Sequence, residues 1–324
     1  MSNMLSKRTV NRVNLNDVIP LKSPYFVSID PSDCCNLRCK YCFNKFNENK
    51  IGLMSIETYK QIIKGLKELG RVKTIHLYKQ GEPLINPNIT EMVKIGKEIC
   101  DKVWIKSNGT FLTPILASNL AKAGLDVLTI SIIAPTTKQY FELTGKTVDY
   151  DKLKNTIAEC YKEIKSITWL HVKMADASFS KEELQKFKDD FANICDHVDI
   201  EYLQQPAGEN NFDFTLGTNP KCGMQGEKIN SKIVCPYPFY SINIHRNGDV
   251  TVCCVDYIGY TKIGNINENT VNEIWNGKKF NDFRKMHLLG NRGLNKACKE
   301  CKHIDSLPDN IDKDREDILR RIKC

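Results

Sequence analysis

The chain has no apolar run approaching the ~18 residues that a membrane helix needs. Val127 to Ala134 is short and reads as a buried strand. Residues 1–16 are polar, with Lys7, Arg8 and Arg12 and no apolar core, so no signal peptide is visible. There is no low-complexity tract and no block of Lys or Arg. The net charge of +8 is spread along the sequence, which reads as a solvated surface rather than a nucleic-acid footprint. Membrane and nucleic-acid partners are therefore not expected. Fourteen cysteines without a secretion signal argue against a disulfide scaffold and fit thiols held with metal in a reducing cytoplasm.

What is present is ordinary for a globular chain: 324 residues, 41% hydrophobic and 27% charged, enough for one large domain and a small one. Strand-like runs at Tyr25–Ile29, Thr74–Tyr78, Val103–Lys106, Val127–Ile132, Thr168–Met174 and Val198–Leu203 alternate with helical patterns. One helical stripe is Ile56, Tyr59, Ile62, Ile63, Leu66 and Leu69 after a Ser55 cap. Another, Leu184, Phe187, Phe191 and Ile194, follows the capping box Ser180-Lys-Glu-Glu183. Such alternation predicts a parallel sheet with helices outside. Cys100, Cys160 and Cys195 fall towards the ends of helical patterns and read as core thiols. The stretch 206–230 is rich in Pro, Gly and Asn and reads as a linker or lid.

Just past the first strand stand Cys35, Cys39 and Cys42, spaced C-x3-C-x2-C. Three soft thiolates in one loop can hold three corners of a cubane iron–sulfur cluster and leave the fourth iron open. The rival is zinc, with Cys34 as a fourth ligand. A second set lies near the C-terminus: Cys235, Cys253 across an Asn247-Gly248 hairpin turn, and the clip Cys298-Lys-Glu-Cys301. Four thiolates complete a closed [4Fe–4S] site, or equally a zinc ribbon.

The first cysteine triplet, with Tyr41 before its last member, resembles the signature of the radical S-adenosylmethionine superfamily. That resemblance implies a partial (βα)6 barrel with chemistry at the carboxyl ends of the strands. It also implies that S-adenosylmethionine binds the open iron and yields a 5′-deoxyadenosyl radical. Gln80-Gly81-Glu82-Pro83 resembles the family's glycine–glycine–glutamate bend, and Ser107-Asn108-Gly109-Thr110 its strand-three turn. Ser131 matches a serine that meets the cofactor. These are the implied cofactor-binding residues.

The C-terminal set, with Gly264-Asn-Ile266 and Glu273-Ile-Trp275, resembles the SPASM/twitch extensions and implies one auxiliary [4Fe–4S] cluster. The full SPASM form needs about three more cysteines, and only the distant Cys324 remains.

The resulting expectation is an α/β fold. It comprises an N-terminal extension (1–22), a barrel (23–205), the linker or lid (206–230), a small auxiliary-cluster domain (231–305) and a C-terminal helix (306–324). The expected activity is radical oxidation of a carbohydrate-like or aminocyclitol alcohol to a ketone, with a flavodoxin or ferredoxin as electron donor. Cys254 reads first as a buried neighbour of the cluster; it could also replace Cys253 as ligand, or serve as hydrogen-atom donor in the alternative, a redox-neutral epimerase, for which Cys222 is a second candidate. Lys173 is a candidate catalytic residue, and Lys79, His171 and Glu201 are candidate substrate contacts. A peptide-modifying maturase and a non-catalytic metal-binding regulator are the other rivals. The first 24 residues are short for a leader-binding domain.

Overall fold

Helix α1 (Leu15–Val18) and strand β1 (Phe26–Ile29) lead into the cysteine loop. Helix α2 (Ile56–Leu69) starts where Ser55 accepts the Thr58 amide. It buries Tyr59, Ile62, Ile63, Leu66 and Leu69, the stripe its period requires. Alternation then continues through β2 (Val72–His76), α3 (Ile89–Lys97), β3 (Cys100–Ser107), α4 (Pro114–Lys122) and β4 (Val127–Ile132). After it come α5 (Thr137–Thr144), α6 (Tyr150–Ile164), β5 (Trp169–Ala175), α7 (Lys181–Phe191) and β6 (His197–Glu201). These coordinates are a computed structural model, which describes residues 13–46, 52–208 and 212–322.

The six strands are parallel and lie side by side in chain order. Alternate residues face two ways. Val27, Ile75, Val103, Leu128, Leu170 and Val172 are essentially dry and pack in the main core. Their neighbours Ser28, His76, Trp104, Thr129 and His171 share the other face and line the lumen, where the Trp104 indole N–H donates to Thr129 Oγ1 at 2.9 Å. Cys100 is the first residue of β3, not the end of a helix, because its backbone pairs with Val72. Strand β2 ends at His76, two residues early, and leaves 77–82 to make a bend.

The last third begins with α8 (Tyr237–Tyr240), β7 (Ser241–Ile244) and β8 (Asp249–Thr251). The expected hairpin is present, Asn243 opposite Thr251 and Ile244 opposite Val250. Its turn needs Gly248 at φ +85°. Strand β7 also pairs in parallel with β1, so the C-terminal hairpin extends the barrel sheet instead of standing apart. With β9 (Lys262–Asn265) the sheet has nine strands in the order β6-β5-β4-β3-β2-β1-β7-β8-β9.

Helices α9 (Val271–Asn276), α10 (Lys278–Leu288), α11 (His303–Ser306) and α12 (Arg315–Arg321) close the chain. Ile311, Ile318 and Ile322 pack with Leu15 and Ile19 in a second small core, which ties the two ends of the described chain together. The N-terminal basic residues and Cys324 lie outside the described residues. Among the described residues no helix is long and apolar enough to cross a membrane.

Candidate active site

Cys35, Cys39 and Cys42 follow β1 on a loop braced from three sides. The Cys42 amide donates to the Cys39 carbonyl at 3.0 Å, Arg38 donates through its guanidinium to the Cys35 carbonyl at 2.6 Å, and the Lys40 amide reaches Leu143 O on α5 at 2.9 Å. Burial pushes the Cys35 thiol up to about 11, with the charges of Glu82 and Cys42 adding to it. Cys39 is driven well above its ordinary value by burial and then by Cys42 and Cys35. Thiols this close and this dry cannot ionise together without a cation. A metal cluster supplies that cation, so the donor set fits an iron–sulfur group.

The bend after β2 is docked directly on this loop. Gly81 sits at φ +64°, and a Cβ there would lie 2.4 Å from Ser32 O and 2.6 Å from Cys34 O. No other residue fits. Glu82 donates its amide to Cys34 O at 2.7 Å. Its buried carboxylate accepts from Ser107 Oγ (2.7 Å) and the Asn108 amide (2.7 Å) and caps the turn opened by Pro83. Asn108 in turn reaches Asn36 Oδ1 at 2.9 Å and lies 3.8 Å from the Cys35 sulfur. Glu82, Ser107 and Asn108 thus form one hydrogen-bonded floor beside Cys35, with Gly81 and Pro83 shaping the bend and the Gln80 amide donating to Asp30 Oδ1 at 3.0 Å. Tyr41 is there too, its hydroxyl raised by burial and by the nearby Cys39. Ser131 faces the lumen on β4, opposite Lys173 on β5.

The second cysteine set also assembles. Cys235 is raised well above its ordinary value by burial and by Cys301, Cys298 and Cys254, and burial with Cys301 pushes Cys298 up to about 12. Cys253 and Cys254 sit against each other, and their contact raises the first and lowers the second. Five sulfurs gather where a four-thiolate cluster needs four. Cys254, adjacent to Cys253, is also turned towards Tyr237.

Between the two sets runs a chain of polar groups that sequence reading saw only in part. Lys79 Nζ, at the end of the β2 bend, lies 3.1 Å from His245 Nε2 and 3.2 Å from Asp256 O. His245 Nδ1 lies 3.1 Å from Asp30 Oδ2, just past β1. Burial lowers the Lys79 pKa against the pull of Asp30 and Asp256. Arg246 and Asp33 form a second bridge between the hairpin and the cysteine loop at 2.5 Å. Asp30 and His245 were missed because they are far apart in sequence; the signal was that each is polar and sits at the carboxyl end of a strand. Lys173 and Glu201 form a nearly buried ion pair in the lumen, and Lys173 is the main attraction that holds Glu201 near 2 despite burial. Burial and the Lys173 charge bring His171 down to about 3, so it is neutral.

A family model described as the radical SAM superfamily matches residues 29–179, and an iron–sulfur cluster-binding SPASM domain matches 235–302. The chain belongs to the radical SAM superfamily. S-adenosylmethionine and iron–sulfur clusters are accordingly its cofactors, and it is a radical SAM enzyme with a SPASM domain.

Among its relatives is the S-adenosyl-L-methionine-dependent 2-deoxy-scyllo-inosamine dehydrogenase of Niallia circulans, 25% identical over 281 residues, or 86% of this chain and 92% of that protein. A GTP 3′,8-cyclase of Chlorobaculum tepidum is 31% identical over 134 residues, 38% of this chain and 40% of the cyclase. In solved structures, BtrN in complex with AdoMet and 2-DOIA superposes with a TM-score of 0.59 at 19% identity, covering 89% of this chain and 97% of that one. The anSMEcpe structure with bound AdoMet and the Cp18Cys peptide gives 0.62 at 15% identity, covering 92% and 96%. At these identities the structures establish the radical SAM fold.

Proposed function

We propose that this radical SAM enzyme oxidises a secondary alcohol of a cyclitol or carbohydrate-like small molecule to a ketone. The observation that carries this reading is the likeness to the inosamine dehydrogenase, which spans nearly the whole of both chains. Cys35, Cys39 and Cys42 are assigned to the first cluster, and Cys235, Cys253, Cys298 and Cys301 to the auxiliary one. Tyr41, the Gln80–Pro83 bend, Ser107, Asn108 and Ser131 line the cofactor pocket. The working boundaries remain a barrel over 23–205, a lid over 206–230 and the auxiliary domain over 231–305.

When bound, these groups supply hydrogen-atom abstraction from a C–H bond and an acceptor for the remaining electron. The protein must then remove the hydroxyl proton. Lys79 accepts it at Nζ and passes it to His245 Nε2, and the Asp30 carboxylate lies 3.1 Å from the Nδ1 of that ring. Lys173 is neutralised by Glu201 and acts with it to orient polar groups of the substrate. A flavodoxin or ferredoxin supplies the first electron.

The test uses metabolites from cells grown in heavy water, split into small-molecule and peptide pools. Each is incubated anaerobically with reconstituted enzyme, reductant and unlabelled S-adenosylmethionine. Deuterium in 5′-deoxyadenosine from the small-molecule pool, matched one for one by a ketone, is expected. Label only from peptides would replace the reading with peptide maturation. A product without a ketone that gains one solvent hydrogen would replace it with epimerisation. The sulfur of Cys254, additional to the four ligands, favours that second reading.

A further inference from the structure

Deeper in the lumen, on the side away from the cluster floor, three donors meet that neither cysteine set uses. His171 on β5 stands directly opposite His197 on the edge strand β6, and Asp199 follows His197 by two residues on the same face. One donor atom from each residue lies within 4.8 Å of the other two. Two imidazoles and a carboxylate on one face are the ligand set of a divalent transition metal with open coordination positions.

A second observation points the same way. His171 is only 2% exposed, yet among the described residues its Nε2 has no hydrogen-bond partner, and neither does the buried Nε2 of His197. Nδ1 of His171 lies 3.4 Å from Thr129 Oγ1, which already receives the Trp104 indole N–H. With Nδ1–H turned to that oxygen, the lone pair falls on Nε2, the arrangement that outer hydrogen bonds give to metal-bound histidines. Trp169 stacks on both rings, with centroids 5.6 Å and 5.9 Å away, and holds them in place. A dry ring nitrogen left unpaired is destabilising, because it has given up its water without gaining a partner. Ligation removes that cost.

We propose that His171, His197 and Asp199 bind one zinc-type divalent cation. The ion would cross-link the edge strand β6 to β5 at the open side of the partial barrel. Zinc–ligand bonds of about 2.0–2.1 Å set tetrahedral donors roughly 3.4 Å apart, so the trio closes by about 1.4 Å at most. Three protein ligands leave a fourth position for water from the lumen. The ion lies one strand repeat below the Lys173–Glu201 pair, whose residues follow His171 and Asp199 by two on β5 and β6. This inference does not depend on alcohol oxidation.

The test starts from anaerobically reconstituted enzyme with both clusters. It is equilibrated with zinc, desalted, and assayed for zinc and iron by mass spectrometry and for its zinc environment by X-ray absorption. One zinc per chain over unchanged iron is expected, in a shell of nitrogen and oxygen without the ~2.3 Å sulfur shell that cysteine ligation gives. His197→Ala and the near-isosteric Asp199→Asn should each retain at least tenfold less zinc at full iron content. If His197→Ala loses iron as well, Asp199→Asn decides. No retained zinc, a sulfur shell, or equal retention by wild type and Asp199→Asn would overturn the proposal.

Discussion

The barrel and the cysteine-rich last third share one sheet but are held together differently. In the barrel, helices of up to 15 residues bury regular apolar stripes, and the backbone is satisfied by its own ladders. In the last third the strands are three or four residues long, and charged side chains take over the backbone pairing. Asp256 alone accepts from the amides of Gly259, Tyr260 and Thr261 and from the Thr261 hydroxyl. Asp312 accepts from Ile233 and Val234 amides, and Lys232 donates to Ile304 and Leu307 carbonyls. The auxiliary thiols sit inside this irregular framework. A region with little ladder of its own is expected to rely on bound metal for order, whereas the barrel displays its three cysteines on a loop beside a self-sufficient sheet.

The largest test of that contrast is removal of iron. After anaerobic chelation, hydrogen exchange across 231–305 should rise by orders of magnitude, while the β3, β4 and β5 amides stay protected. Equal loss in both regions would show that the contrast is wrong.

Next comes the bridge between them. Lys79→Met should lower ketone formation by about 10²–10⁴ while 5′-deoxyadenosine still forms, uncoupled from product. A base must be neutral to act, so wild-type turnover should rise with pH through the lowered Lys79 value and lose that limb in the variant. Unchanged coupling in Lys79→Met would remove the relay.

The smallest effects separate the two kinds of framework. Asp256→Ala strips four hydrogen bonds from one carboxylate and should cost about 2–4 kcal/mol. Loss of the Ser55 cap at α2 in Ser55→Ala should cost only about 1 kcal/mol. Denaturant unfolding measures both, and a reversed order would mean that local ladders, not charged side chains, hold the last third.

Much of the barrel was legible because its signals are local. The α2 stripe, the Ser180–Glu183 capping box and the Cys35–Cys39–Cys42 spacing each lie within a few turns of chain; the structure builds α2 over its whole stripe and starts α7 at its capping box, ending it at Phe191, short of Ile194. Element ends were less so: β3 claims Cys100 because Val72 offers it a partner, a fact no window around Cys100 contains. His171 was singled out, but His197 and Asp199 were not, although alternation along His197-Val-Asp-Ile-Glu201 places them on one face.

The sequence by itself determined the alternation of strands and helices, the clusters' candidate ligands and the glycine at the cofactor bend. Each depends on residue type and short spacing. Tertiary structure alone decided that β7 joins β1, that Lys79, His245 and Asp30 form one chain, and that His171, His197 and Asp199 converge. Those groups come from separate strands, and only the register of a folded sheet brings their side chains within reach.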